Sequence, residues 1–164
     1  MKPIVTFFGT QPYEQESFDA LNRDFGFEFR YFKGHLSRQT VVATHGAQAA
    51  CIFVNDTADA EVMRELARNG VRLLALRCAG YNNVDLEAAS ARGIVVMNTP
   101  GQNSNAVAEL ALAMMIFMAR NGFTPGTGSE IQGKTLGIHA YGNVGKLVGR
   151  KGKAMGMNVI AYDP

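Results

Sequence analysis

Charge of one sign is scarce in this sequence. Sixteen Lys and Arg stand against fourteen Asp and Glu, a formal net charge of +2, and only 18% of residues are charged. Acids and bases are mixed along the chain, so no polycationic surface calls for nucleic acid or anionic lipid. The one local cluster is Lys146, Arg150, Lys151 and Lys153. Long apolar runs are missing as well. The longest, AVAELALAMMIFMA at 106–119, carries Glu109 and is too short to span a bilayer. The N-terminus, MKPIVTFFGTQP, has a charge and a short apolar run but no cleavage site of small residues, so it reads as a first strand rather than a signal peptide. Cysteine is limited to Cys51 and Cys78. Each falls in an apolar, strand-like run without metal-ligand spacing, which suits reduced, buried thiols rather than a disulfide framework. The expectation is a cytoplasmic protein with no metal site and no membrane or nucleic-acid partner.

What is present is a rhythm. With 47% apolar residues a packed core is expected. Short apolar runs at 4–8, 28–32, 49–55, 72–77 and 94–97 predict five strands, and amphipathic stretches at 14–25, 59–69 and 85–92 predict helices between them. Alternation of this kind builds βαβ units on a parallel sheet, enough here for a small doubly wound domain. The segment NTPGQNSN (98–105) breaks the pattern with turn formers, which divides the chain into domains of 1–100 and 101–164. A long helix at 106–121, a Gly-, Thr- and Pro-containing loop at 122–130, and a final strand, helix and strand follow. The last strand, 157–162, is expected to be left as an apolar edge that invites pairing with another copy, so a homo-oligomer is expected.

The most informative stretch is 133–164. A strand at 135–140 runs into the turn AYGNVG (140–145), and Asp163 arrives twenty-one residues after Gly142. That is the layout of a dinucleotide-binding turn, in which glycines let the backbone approach a pyrophosphate held on the following helix's N-terminus. The second and third glycines are Gly142 and Gly145, with Asn143 and Val144 between them; the first is replaced by Ala140. An alanine fits there only at negative φ. Asp163 is placed to accept hydrogen bonds from ribose hydroxyls and to repel a 2′-phosphate, which selects NAD over NADP. Gly149 and Gly152 weaken the helix that follows. They read equally as close packing on the sheet or as drift.

The stretches FFGTQPYEQESF, FVNDT (53–57), LRCAGYNNVDLEAA (76–89), NSNAVAELALAMM (103–115) and GKTLGIHAYGNVGK (133–146) together resemble the D-isomer-specific 2-hydroxyacid dehydrogenases. The first hundred residues look closest to the D-lactate dehydrogenase branch, and the later ones are more like phosphoglycerate-dehydrogenase-like members. The resemblance implies a flavodoxin-like, parallel-sheet substrate domain followed by the first part of a Rossmann NAD-binding domain. It implies that the amides of Ala79 and Gly80 hold the carboxylate of a small 2-hydroxy or 2-oxo acid, with Val54 and Asn55 lining the same pocket. It also implies that Ser104, Asn105 and Val107 lie closest to the cofactor, beside Gly142, Asn143, Val144, Gly145 and Asp163. The family's catalytic arginine and its histidine–glutamate pair fall beyond the aspartate matched by Asp163, so no catalytic residue is assigned and activity of the isolated 164-residue chain is doubtful. His139 reads as packing in a buried strand, His35 and His45 as surface residues without a carboxylate partner, and Arg77 as a support for the substrate loop. A truncated, non-catalytic binding or interaction module is the alternative, and a methyltransferase-type nucleotide domain a more distant one.

Overall fold

The run IVTFF forms β1 (Ile4–Phe8), which pairs in parallel on both sides. The structure, a computed structural model, describes residues 2–164. These form two compact units, one ending at Pro100 and the other spanning Gly101–Pro164. In the first, β1 is joined by β2 (Glu28–Phe32), β3 (Ala49–Ile52), β4 (Leu73–Leu76) and β5 (Val95–Met97) in the order β2-β1-β3-β4-β5. Parallel neighbours need crossovers. These are α1 (Pro12–Asn22), a 3₁₀ turn at Val41–Thr44, α2 (Ala60–Arg68) and α3 (Leu86–Ala91). The core gathers Phe8, Ile52, Val62, Met63, Leu66 and Leu74, all fully buried. The chain leaves β1 in one direction and returns on its other side, so the topology reverses between β1 and β3. Open α/β sheets hold ligands outside the carboxyl ends of their strands at such a point.

Side chains set four boundaries away from the expected places. The first helix ends at Asn22, not near 25, because the Asn22 side chain accepts from the Phe27 N–H and donates to the Phe27 carbonyl, both at 2.8 Å. Strand β3 stops at Ile52 because Asp56 Oδ2 captures the Phe53 N–H at 2.5 Å and turns the chain out of the sheet. Asp59 and Asp85 lie just outside their helices as N-caps, each accepting from amides of the first turn.

The second unit contains α4 (Ser104–Ala119), β6 (Thr135–His139), α5 (Asn143–Ala154) and β7 (Asn158–Tyr162). The long helix starts two residues earlier than the sequence pattern suggests. Strands β6 and β7 pair in parallel as a two-stranded sheet, and α5 makes the crossover. Gly145, Gly149 and Gly152 fall on one side of α5, where neighbouring groups approach closely. An added Cβ would lie 2.8 Å from Leu136 Cδ2 at Gly152 and 2.9 Å from Tyr141 Oη at Gly149, and at Gly145 it would collide with the Ala140 carbonyl oxygen. Close packing, not drift, accounts for these glycines.

Two expectations, for β6 and for the turn after it, are overturned. His139 is exposed rather than buried and stacks on Tyr162, with ring centroids 5.5 Å apart and planes at 16°. In a two-stranded sheet with one crossover helix, one face stays open. Ala140 adopts φ 76, not a negative φ. The turn keeps the left-handed geometry that a glycine would adopt freely, at a cost of about 1–2 kcal/mol for a residue with a Cβ. Ala140→Gly is therefore expected to stabilise the second unit by about 0.5–1 kcal/mol, the added freedom of the unfolded chain offsetting part of the relief. Thermal unfolding would check this, and a lower midpoint would contradict it.

Candidate functional site

At the carboxyl end of the first sheet, short loops are fixed by side chains rather than by regular structure. The loop after β3 is a tight turn in which Asp56 N–H bonds the Phe53 carbonyl at 3.2 Å. The Asp56 carboxylate is fully buried and also accepts the Leu36 N–H at 2.6 Å. His35 Nδ1 stands 3.6 Å from Asp56 Oδ1, so His35 does have a carboxylate partner, contrary to expectation. Val54 and Asn55 are left exposed at the tip of this anchored turn. Asn83, in the loop after β4, donates to the carbonyls of Phe53 at 3.0 Å and Asp56 at 2.8 Å, binding the two loops together.

The loop after β4 carries Ala79 and Gly80, and the carbonyls of Cys78, Ala79 and Gly80 are engaged. Cys78 O accepts the Thr99 N–H at 3.1 Å, Ala79 O accepts Asn98 Nδ2 at 2.8 Å, and Gly80 O accepts the Cys78 thiol at 3.2 Å. The amides of Ala79 and Gly80 have no partner among the described residues, and both residues are exposed. In a trans peptide the carbonyl and the next N–H point in opposite directions. Holding the Cys78 and Ala79 carbonyls on one side therefore fixes where the Ala79 and Gly80 N–H groups point. Two adjacent, unpaired main-chain donors are groups of the kind that can hold an anion.

Arg77 immediately precedes this loop. Its Nε is ion-paired with Glu14 Oε1 at 3.1 Å, its Nη2 donates to the Phe8 carbonyl at 3.0 Å, and its guanidinium carbon is 5.8 Å from the Phe53 ring centroid. It thus ties β1, α1 and the loop after β3 to the loop that follows it. Burial pushes the Cys51 thiol up to about 11 despite the nearby Arg77, and burial also raises Cys78. Both thiols are protonated at neutral pH, which is what lets Cys78 act as a donor. An apolar groove of the first unit lies elsewhere, beside α1, and is lined almost wholly by apolar groups such as Phe18, Leu21, Phe25 and Phe29. It has little with which to hold a carboxylate.

In the second unit, Gly142 is the N-cap of α5, and Asn143, Val144 and Gly145 form its first turn. The turn is joined to the end of β7 by Ala140 N–H to the Tyr162 carbonyl at 2.8 Å and by Tyr141 N–H to Asp163 Oδ1 at 3.1 Å. Asp163 is exposed, and its other carboxylate oxygen has no partner among the described residues. Of the residues expected nearest a cofactor, Ser104 is buried, Asn105 Nδ2 is occupied by Glu109 at 2.7 Å, and Val107 is exposed. Glu109 in turn pairs with Lys151 at 3.1 Å. Among the described residues no group of three or more His, Cys, Asp or Glu could hold a metal ion, and no helix is long and apolar enough to cross a membrane.

Residues 5–158 match the family profile described as D-isomer specific 2-hydroxyacid dehydrogenase, catalytic domain. D-lactate dehydrogenase of Escherichia coli is 38% identical over 96% of this chain and 52% of its own length, and 2-hydroxyacid dehydrogenase homolog 1 of Schizosaccharomyces pombe is 37% identical over 97% and 52%. The chain spans about half the length of the curated relatives it matches. Among solved structures, the apo form of D-lactate dehydrogenase from Escherichia coli aligns with a TM-score of 0.81 at 37% identity, over 98% of this chain and 55% of that one. The NAD+-bound 3-phosphoglycerate dehydrogenase of Entamoeba histolytica aligns with a TM-score of 0.86 at 33% identity, over 100% and 55%.

Proposed function

Because the chain belongs to the D-isomer specific 2-hydroxyacid dehydrogenase family, we propose that it carries the ligand-holding parts of an NAD-dependent oxidoreductase acting on the CH–OH group of a D-2-hydroxyacid. On this reading residues 1–100 are the substrate domain and 101–164 the first part of the NAD-binding domain. The observation that carries it is the pair of unpaired amides at Ala79 and Gly80, fixed at the carboxyl end of a doubly wound sheet. They would donate to the carboxylate of a small 2-hydroxy or 2-oxo acid, with Val54 and Asn55 against its remaining atoms. D-lactate and 3-phosphoglycerate, named for the relatives, belong to that chemical class.

The residues of the second unit fit NAD. No Cβ fits at Gly145, and the unsatisfied N–H groups of the first turn of α5 face an anion as any helix start does. The free oxygen of Asp163 suits a ribose hydroxyl and opposes a 2′-phosphate. Bound NAD would supply the hydride acceptor. This chain's own residues orient the carboxylate and the pyrophosphate; none of them matches the arginine or the histidine–glutamate pair that the family uses. Proton transfer of that kind is worth about 100- to 10,000-fold in rate; the roles proposed for the residues of this chain are binding and orientation.

Calorimetric titration tests the cofactor half of this reading. NAD should bind weakly but more tightly than NADP, and Asp163→Ala should weaken NAD by about tenfold, the value of one weak hydrogen bond to a carboxylate. A preference for NADP would remove the role given to Asp163.

A further inference from the structure

We propose that Asn98 is a positioning residue for the carboxylate site, acting through the Ala79 carbonyl and never touching the ligand. The inference rests on the assignment of the Ala79 and Gly80 amides as the carboxylate donors. Asn98 follows β5 directly and is half-buried. Its Nδ2 reaches across to the Ala79 oxygen at 2.8 Å, while the next residue's main-chain N–H, that of Thr99, holds the Cys78 oxygen at 3.1 Å.

These two bonds act on consecutive peptide planes. The Thr99 bond is made by the main chain and survives any side-chain change. Among the described residues, the Asn98 amide is the one group outside the loop that holds the Ala79–Gly80 plane. That plane carries the Gly80 N–H on the edge opposite the held carbonyl, and Gly80 lacks a Cβ to restrict rotation of the plane. Without the Asn98 amide the plane is free to turn, and the Gly80 donor loses its fixed aim. The Cys78 thiol contact to Gly80 O, at 3.2 Å, anchors the next plane and cannot replace it. An asparagine meets the requirement because its side chain offers a neutral N–H₂ donor at short reach. An aspartate of the same shape would present only acceptors to the carbonyl and add a negative charge beside an anion site.

The test uses the full 164-residue chain labelled with ¹⁵N and titrated with pyruvate, with acetate as a control for non-specific carboxylate binding. In the parent chain, the Ala79 and Gly80 amide signals should shift with pyruvate. Asn98→Ala should weaken pyruvate by about tenfold, equivalent to one lost hydrogen bond, and Asn98→Asp by more. Neither should lower the melting temperature correspondingly, because Asn98 is only half-buried and outside the regular elements. If the parent chain shows no response at Ala79 and Gly80, the carboxylate assignment falls and this inference with it. If the parent chain responds and Asn98→Ala binds equally well, the assignment stands and only the role of Asn98 is overturned. Loss of binding that tracks loss of fold in both variants would make Asn98 structural and would also overturn it.

Discussion

Replacing Gly145 with alanine will destabilise the second unit by about 2–3 kcal/mol, the scale of forced overpacking, and will remove its dinucleotide binding. The new methyl group would meet the Ala140 carbonyl oxygen directly and Ile138 Cγ2 at 3.2 Å. Neither neighbour can retreat. Ala140 already sits in a left-handed conformation at φ 76 and is tied by its N–H to Tyr162, and Ile138 belongs to β6. The helix start must therefore lift from the sheet, taking with it the amides meant for the pyrophosphate. A unit of this size has little stability to spare. Circular dichroism melts and NAD titration of the variant are the check; an unchanged midpoint with unchanged binding would show that the turn does not depend on a bare backbone at 145.

Asp56→Ala will have the largest effect in the first unit, a loss of about 3–5 kcal/mol. The carboxylate is fully buried, and its two oxygens satisfy the Leu36 and Phe53 amides at 2.6 and 2.5 Å. Each buried amide left without a partner costs about 1–3 kcal/mol, and the His35 contact goes as well. Against a typical domain stability of about 5–15 kcal/mol, the variant should be marginal, and the turn that presents Val54 and Asn55 should lose its shape. Asp56→Asn, which keeps one acceptor, should cost about half as much. Denaturant unfolding of both variants measures this, and equal stability of Asp56→Ala and the parent chain would contradict it.

The parallel sheet was legible because its apolar runs were short and regularly interrupted: β1 and β2 lie where the residue pattern places them. Asn22 and Asp56 moved boundaries that periodicity alone cannot locate, since a side chain's reach to a backbone amide leaves no trace in hydrophobic spacing. The glycine turn was recognisable from spacing, but the conformation of Ala140 was not. Propensity favours negative φ for alanine, and the tertiary demand of the turn overrode it. The candidate carboxylate site was read through resemblance. The residues that hold it, Asn83, Asn98 and Asp56, were missed, although all three lie in short loops rich in Asn and Asp, FVNDT, AGYNN and MNTP, where such side chains commonly bond backbone. His35 was misread because its partner lies twenty-one residues away in sequence and across the sheet's edge.

The most direct test of the account is amide shift mapping of the 164-residue chain with NAD. The account predicts that the perturbed signals cluster at Tyr141–Gly145 and Asp163, the turn and the carboxylate joined by the 3.1 Å hydrogen bond from Tyr141, with the apolar groove beside α1 unaffected. Shifts centred on that groove, or no response at the glycine turn at concentrations that saturate elsewhere, would contradict it.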